Sequence, residues 1–344
     1  MWRGQCFLRG CAVIGWKVGN PAARPGHFII PVRRFVRKQI TETKRRGLRP
    51  VDNVEGTSRG FHDLAKPFVF AAAVTVTSFT GAAIWQYETF RQLARQHQRR
   101  FVPKSGNSSF YSNFYGKAGD LRRRLNDWWN RLYPVQKLVC GIIGVNIAVL
   151  LAWRVPQLST VMVTYFMASP MSVAKCWPML LSTFSHFSLL HLFINMYVLW
   201  SFAPVVSANY GRENFLATYM TAGVVSSFVS YAYRLARGSM VPSLGASGAI
   251  LALLGIVGTL YPDARLSIAI VDRIYPHSFS ADVGMRCLIA LDVLGMLFSW
   301  RFFDHAGHLG GMLFGIWYAK RGHQLARKHR DAVVQYWHKL RGKP

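Results

Sequence analysis

The chain has 344 residues, 51% of them hydrophobic, and a formal net charge of +28 at pH 7. The apolar residues come in long blocks rather than in alternation, which argues against a soluble core and predicts an all-α polytopic membrane protein. The Lys and Arg residues lie almost entirely between and outside these blocks. We therefore expect a lipid bilayer, and no nucleic acid, as the partner of the basic segments.

The N-terminal segment, residues 1–66, has the composition of a mitochondrial presequence followed by a basic tail. Its first fifty residues contain twelve Lys or Arg and one acidic residue, Glu42. An Arg-rich and acid-poor start is typical of mitochondrial import, whereas Cys11 to Gly15 is too short for the apolar region of a secretory signal. A basic cytosolic tail is the alternative interpretation.

Hydropathy predicts seven membrane spans, one extra N-terminal helix and a six-helix core. The extra helix runs from Pro67 to Tyr87, and a basic hydrophilic linker over residues 88–133 carries an amphipathic surface helix from Asp120 to Arg131. The core covers residues 134–323, and a basic tail, predicted to form an interfacial helix, covers residues 324–344. The core spans are predicted at residues 135–153, from just before 191 to 206, 214–233, 244–260, 284–300 and 305–318.

A serine among small residues begins the span predicted at residues 244–260. The local sequence is PSLGASGA, and its second serine is Ser247. A serine in a membrane helix commonly does no more than bond to a carbonyl one turn back. Here, however, Gly248, Ala252 and Gly255 follow at helical spacing and form a face on which another helix can pack closely.

A second cluster of small residues begins the last span, in the sequence DHAGHLGG. Gly307, Gly311 and Gly315 recur every four residues, a pattern that packs against a helix with a small-residue face. The Ser247 span offers such a face, so we expect His308 to come within reach of the serine. One helix separates the two spans, which therefore run parallel and place both residues at a similar depth.

The span that starts before His191 is parallel to these two, and His191 and Asn195 share one of its faces. Three sets of polar groups therefore converge at one level. A neutral His can take the proton of a Ser hydroxyl. The side chains of His191 and Asn195, with the Ser247 N–H, can supply donors to an oxyanion.

The motifs GASG (residues 245–248), HFSLLHLFIN (186–195) and GHLGG (307–311) together resemble the three signatures of rhomboid intramembrane proteases, in the same order. Gly245 belongs to the first of them. The extra helix, the basic start and the stretches WPMLLSTFSH (177–186) and FFDHA (302–306) are similar to the mitochondrial branch of that family.

The resemblance implies a serine endopeptidase with a Ser247–His308 dyad, oxyanion assistance from His191 and Asn195, and helix packing through the motif glycines. It also implies single-span substrates in the mitochondrial inner membrane, an N-terminus in the matrix, and roles in mitochondrial quality control and cell-death signalling. Further partners and the oligomeric state are not legible in the sequence.

Two other classes of function are open. A rhomboid-like pseudoprotease would bind membrane proteins without cutting them, although neither Ser247 nor His308 is missing. A small-molecule transporter would be expected to show an internal repeat and interrupted helices at the midplane, and neither is visible.

No cofactor and no metal are expected. The five cysteines form no CxxC pair, so we interpret them as free thiols. Four histidines (His186, His191, His305 and His308) have spacings that match no metal motif; we interpret His186 and His305 as interfacial or as hydrogen-bonding support.

Two acidic residues near the predicted site have roles that the sequence leaves open. Asp292 lies well within a predicted span and must either face a water-filled cavity or bond to a neighbouring helix. Its partner cannot be read from the sequence. Asp304 precedes the last span and is expected near the interface, where the dipole at the start of a helix favours a negative charge.

Overall fold

The computed structural model describes residues 62–100, 117–170, 172, 174–239, 241–267, 272, 273, 275, 278–300 and 302–342. The predicted presequence, including Cys6 and Cys11, lies outside these residues. Among the described cysteines, Cys140, Cys176 and Cys287 are free thiols, as predicted.

The described residues form a bundle of α-helices, in agreement with the all-α prediction. The helices are α1 (His62–Arg100), α2 (Lys117–Arg131), α3 (Pro134–Ala152), α4 (Ser159–Tyr165), α5 (Trp177–Leu181), α6 (Leu189–Tyr210), α7 (Arg212–Ala236), α8 (Ser247–Leu260), α9 (Ala281–Leu297), α10 (His305–Trp317) and α11 (His323–Arg341). Two short antiparallel strands, β1 (Arg265–Leu266) and β2 (Phe279–Ser280), pair between α8 and α9, with Arg265 opposite Ser280.

Helix α8 lies at the centre of the bundle because it is apolar on nearly every side. Ten of its 14 residues are buried, and it contacts α6, α7, α9 and α10. A helix of this composition is stable only when other helices or lipid cover it. The surrounding core is closed by fully buried side chains such as Leu199 of α6, Phe215 of α7 and Leu253 of α8 itself. Ser247 is the first residue of α8, so its position is fixed by a helix that the rest of the bundle encloses.

By length and composition, four described helices can cross a membrane: α1 within Asp63–His97, α3, α6 and α7. Helix α8 is a shorter apolar helix. Helices α9 and α10 have 17 and 13 residues, less than the roughly 20 residues that span a bilayer core in a straight line. Helix α10 continues through a π-helical turn, Tyr318–Gly322, into α11. The count of seven spans stays a prediction.

The N-terminal helix α1 extends past both ends of the apolar segment that predicted it. It begins at His62, includes Pro67 and runs to Arg100, so the first part of the predicted linker is helical. Arg and Gln dominate that part, and these residues favour helix even where hydropathy falls. The predicted surface helix is confirmed as α2, which exposes Trp128 and Trp129.

The predicted helix in the basic C-terminal tail is confirmed as α11, and it packs on α1. His329 bonds to Thr80 with an Nε2–Oγ1 distance of 2.9 Å. The indole N–H of Trp337 donates to Glu88 Oε1 at 2.9 Å. The helix is therefore joined to the bundle and is not only an interfacial element.

The segment between α3 and α6, which lies between two predicted spans, contains α4, α5 and two 3₁₀ turns (Pro156–Leu158 and Ser182–Phe184). An antiparallel bridge joins Ala168 of this segment to Ser243, and the Gly245 N–H donates to the Ser182 carbonyl at 2.9 Å. These backbone bonds hold the approach to α8, and they position Ser247 from outside its own helix.

Candidate active site

Ser247 and His308 meet at the start of α8 and α10. The distance between Ser247 Oγ and His308 Nε2 is 2.8 Å, although 61 residues separate the two in sequence. This is a hydrogen-bond distance for a hydroxyl and an imidazole nitrogen. The His308 side chain is 16% exposed, so the pair is mostly buried but not closed off from its surroundings.

The dyad is held by direct backbone contact between α8 and α10, at the small residues that the sequence singled out. A Cβ atom at Gly311 would collide with the carbonyl oxygen of Gly248, and one at Gly315 with the carbonyl oxygen of Ala252. In the other direction, a Cβ at Gly255 would lie 2.6 Å from the Met312 carbonyl oxygen. The two helices can approach this closely only because these side chains are absent.

Two serines of α7, which the sequence analysis did not single out, fix the start of α10. Ser226 Oγ donates to the Gly307 carbonyl at 2.8 Å. Ser230 Oγ donates to Asp304 at 2.7 Å, and Arg234 pairs with the same carboxylate at 3.2 Å. Their spacing of four residues on one helical face was a usable signal, but nothing in the sequence pointed to α10 as the partner.

Asp304 is the N-cap residue of α10. Its carboxylate accepts from the Gly307 N–H at 3.3 Å, which satisfies one of the free N–H groups of the first turn. The predicted position at the start of the helix is therefore confirmed. The ion pair with Arg234 anchors the N-terminal turn of the helix that carries His308.

His191 lies beside the turn that leads into Ser247. Gly245 has a φ of +132°, and a Cβ there would lie 2.9 Å from His191 Cε1. Only glycine adopts this backbone conformation without strain, and only glycine leaves room for the imidazole. Ser188, the N-cap of α6, accepts from the His191 N–H at 3.1 Å and holds the beginning of this helix.

Asn195 is buried one turn after His191, with 6% of its surface exposed. Its amide nitrogen donates to the His191 carbonyl at 2.8 Å. One N–H of that amide is therefore used within the helix, which leaves one more for another acceptor. The structure places Asn195 on the predicted face but does not bring it into a bond with Ser247 or His308.

The other two histidines are buried rather than interfacial. His186 is 0% exposed, and its ring packs edge-on against His191 at 4.8 Å between centroids. Its Nε2 is 3.5 Å from the Ala246 nitrogen, a long contact. His305 is 5% exposed. Of the two roles predicted for them, hydrogen-bonding support fits the contact of His305 with Asp292, and the interfacial position stays a prediction.

Asp292 bonds to a neighbouring helix. Its Oδ1 atom is 2.8 Å from His305 Nδ1 and 3.5 Å from His308 Nδ1. Its side chain is 2% exposed. This partner could not be identified from the sequence, where an acidic residue deep in an apolar segment was the only signal that pointed to it.

Chemically, the arrangement suits acyl transfer. A Ser hydroxyl is a weak nucleophile until a base within hydrogen-bond reach takes its proton, and His308 is such a base. The free N–H groups at the start of α8 offer positive potential beside Ser247. Within the described part of the chain, no three His, Cys, Asp or Glu side chains are grouped so that they could hold a metal ion.

A family model and individual relatives both relate the chain to rhomboid proteins. A family model described as "Rhomboid domain" matches residues 173–324. The chain is 45% identical over 278 residues to the human "Presenilin-associated rhomboid-like protein, mitochondrial", a match that covers 81% of this chain and 72% of the relative. It is 41% identical over 294 residues to "Presenilin-associated rhomboid-like protein A, mitochondrial" of Danio rerio, covering 81% and 76%.

A bacterial relative extends the similarity. The "Rhomboid protease GluP" of Bacillus subtilis is 32% identical over 144 residues, covering 42% of this chain and 25% of the relative. The predicted likeness to the mitochondrial branch of the rhomboid family is confirmed by the presenilin-associated rhomboid-like proteins. The names of these relatives and the apolar helices also support a mitochondrial multi-pass membrane protein. From its motifs, its helices and its identity to these relatives, the chain belongs to the rhomboid family of intramembrane proteases.

Proposed function

We propose that the protein is a serine endopeptidase that hydrolyses peptide bonds in or beside the transmembrane segment of single-span membrane proteins. Ser247 is the nucleophile and His308 the general base. The observation that carries the proposal is the 2.8 Å distance between Ser247 Oγ and His308 Nε2, held at the contact of two helices that glycines bring together.

The reaction follows from this pair. Ser247 Oγ attacks the carbonyl carbon of the substrate while its proton passes to His308 Nε2. The His308 imidazolium then returns the proton to the leaving amine, which leaves an acyl-enzyme. A water molecule, deprotonated by the same nitrogen, releases the second product. The negative oxygen of each tetrahedral intermediate is stabilised by the Ser247 N–H, with His191 and Asn195 as the further donors in this proposal.

The surface near the site supports an apolar, membrane-embedded substrate. The first two turns of α6, which carries His191, expose the large apolar side chains Leu189, Leu190, Phe193 and Ile194, each by at least half of its surface. A regular helix hides its carbonyls in hydrogen bonds, so a substrate must unwind locally to reach Ser247. We therefore propose that substrates carry small, helix-destabilising residues at the cleavage point.

The membrane, the orientation and the cellular roles are proposed from the resemblance to the mitochondrial relatives. The proposal places the protein in the mitochondrial inner membrane with its N-terminus in the matrix, and gives it roles in mitochondrial quality control and cell-death signalling. Protease protection of tagged termini, in mitochondria stripped of their outer membrane, tests the orientation. Digestion of an N-terminal tag under those conditions would contradict a matrix location.

The dyad is tested with the full chain in vesicles and a single-span substrate that has Gly and Ser residues within its span. Ser247→Ala and His308→Ala should each reduce the cleavage rate by about 10³-fold or more. Ser201→Ala is the matched control, because Ser201 on α6 is exposed and, among the described residues, its hydroxyl bonds to the Tyr197 carbonyl of its own helix, at 2.9 Å. Cleavage by either dyad variant at the wild-type rate would contradict the proposal.

The same preparation distinguishes the pseudoprotease alternative. A fluorophosphonate probe should label the wild-type protein at Ser247 and should not label Ser247→Ala. A wild-type protein that binds the substrate, resists the probe and leaves the substrate intact would be a binding protein rather than a protease.

A further inference from the structure

We propose that Asp292 is a positioning residue for His308: its carboxylate sets the tautomer of the imidazole and stabilises the imidazolium that forms when Ser247 loses its proton. The inference rests on the proposed function, because it gives Asp292 a role in the reaction of the Ser247–His308 dyad. The geometry extends that dyad into a chain from Ser247 through His308 and Asp292 to His305.

The first argument is the burial of the carboxylate. The Asp292 side chain is 2% exposed and lies in α9, an apolar helix. A charge in such a place is costly unless it is paired and hydrogen-bonded. The two described groups that approach Asp292 Oδ1 are the Nδ1 atoms of His305, at 2.8 Å, and of His308, at 3.5 Å. Both are on the helix that carries the catalytic base.

The second argument is that the proton of the neutral His305 ring is on Nδ1, the nitrogen that faces Asp292. His305 Nε2 is buried and has no hydrogen-bond partner among the described residues. A buried N–H without an acceptor costs more than an unused lone pair, so the proton belongs on Nδ1, where it is donated to Asp292. The same carboxylate oxygen has a second lone pair for the Nδ1–H of His308.

The third argument is that α9 is shaped to hold this arrangement. Gly295 lies one turn after Asp292, and a Cβ there would lie 2.5 Å from ring atoms of His305. The His305 ring is enclosed on other sides by Trp300 and Phe303, at centroid distances of 6.1 and 6.0 Å. The glycine and the two aromatic rings fix His305, and through it Asp292.

The consequence for the reaction concerns His308 Nδ1. To accept the serine proton, Nε2 must be unprotonated, which requires the proton of the neutral ring to be on Nδ1. A carboxylate facing Nδ1 favours that tautomer, and it attracts the positive ring after proton transfer. The distance of 3.5 Å is longer than a good hydrogen bond, as catalytic contacts commonly are without substrate.

Other charged or titratable groups also face His308. These are His191 on α6 and Asp304, the N-cap of the helix that carries His308; Arg234 of α7 pairs with Asp304. Asp292 differs from them in two ways. It is an acid directed at Nδ1, and its own contacts in the described structure are both histidines.

The test is Asp292→Asn in the full chain, assayed in vesicles with the single-span substrate. We expect kcat to fall about 100-fold or more, with KM changed by less than about 2-fold, because the lost interaction matters only when His308 is charged. The acid side of the pH profile of kcat should move to lower pH by about one unit, because removal of the negative charge makes protonated His308 less stable. Asp292→Ser, a smaller charge-free variant, should show the same shift if the first variant does not accumulate.

Asp282→Asn is the matched control. Asp282 is on the same helix and pairs with Arg286, which is 75% exposed, at 2.8 Å, so the same chemical change there should leave kcat and the pH profile unaltered. A variant at Asp292 that is folded and keeps the wild-type kcat and profile would overturn the inference. A loss of stability with an unmoved acid limb would also overturn it, since it would assign Asp292 a structural role alone. Neither result touches the dyad, which fails only if Ser247→Ala or His308→Ala still cleaves.

Discussion

Two pairs of helices join distant parts of the chain, and they do so in opposite ways. Helices α8 and α10 touch through their backbones, with Gly311 against the Gly248 carbonyl and Gly315 against the Ala252 carbonyl. Helices α1 and α11 are joined by long side chains, such as Trp337 with Glu88 at 2.9 Å and Tyr87 with His338 at 2.6 Å.

The difference indicates which contact sets the geometry of the Ser247–His308 pair. A backbone contact has no flexible side chain that can relax, so a change of one methyl group must move a whole helix. Side-chain bridges can adopt other rotamers or bond to water when one partner is lost. The dyad lies at the end of the first contact, and a misplacement of about 1 Å there can reduce a rate about 100-fold.

The largest effect is expected for Gly311→Ala. The added Cβ would collide with the Gly248 carbonyl, so α10 must move away from α8 and take His308 with it. We expect the free energy of unfolding to fall by about 3 kcal/mol and the cleavage rate to fall about 100-fold. Thermal unfolding in detergent and cleavage of the reconstituted substrate measure the two quantities.

Gly141→Ala provides the same substitution in a helix without such a contact. Gly141 lies in α3, and a Cβ there would have no atom within 4 Å. This variant should be as stable as the wild type or more stable by up to about 1 kcal/mol, with unchanged cleavage. If both glycine variants behaved alike, backbone contact between α8 and α10 would not be what holds the dyad.

The spacing of glycines made the first contact predictable, and nothing comparable existed for the second. Gly307, Gly311 and Gly315 repeat with the period of a helix, and the parallel order of the spans put Ser247 and His308 at one depth. Contacts through long side chains leave no such period, so the packing of α11 on α1 could not be read. Hydropathy did not predict the extension of α1 to Arg100, because a helix can continue beyond its last apolar residue.

The contacts of Asp292 were unpredictable for a related reason. Its position in a span was visible, but its direction depends on how α9 is rotated against α10. One contact that fits this rotation is the His305 ring over Gly295, and such a contact has no repeat in the sequence. The position of Asp292 within an apolar span therefore indicated that it has a partner but did not identify that partner.

An intermediate effect is expected for Gly245→Ala, where the new side chain would strain the backbone and would meet a side chain rather than a carbonyl. The substitution places a Cβ 2.9 Å from His191 Cε1 at a φ of +132°. We expect kcat to fall about 10-fold, because His191 is pushed from the side of Ser247, and the free energy of unfolding to fall by about 2 kcal/mol.

Gly238→Ala separates the two causes proposed for Gly245→Ala, which are backbone strain and the contact with His191. Gly238 also has a positive φ, +62°, but a Cβ there would meet no atom within 4 Å. It should lose about 1 kcal/mol of stability and keep the wild-type kcat. A 10-fold loss of kcat in this variant as well would show that His191 is not responsible for the effect at Gly245.

The smallest effect is expected for Trp337→Phe, which removes the indole N–H that donates to Glu88 at the contact of α1 and α11. Glu88 keeps Arg341 as a partner at 3.2 Å, so its carboxylate is not left alone. We expect a loss of about 0.5–1 kcal/mol in the free energy of unfolding and a cleavage rate within about 2-fold of the wild type. A large fall in kcat at unchanged stability would mean that this side-chain contact is coupled to the dyad, and the two helix pairs would then act as one unit.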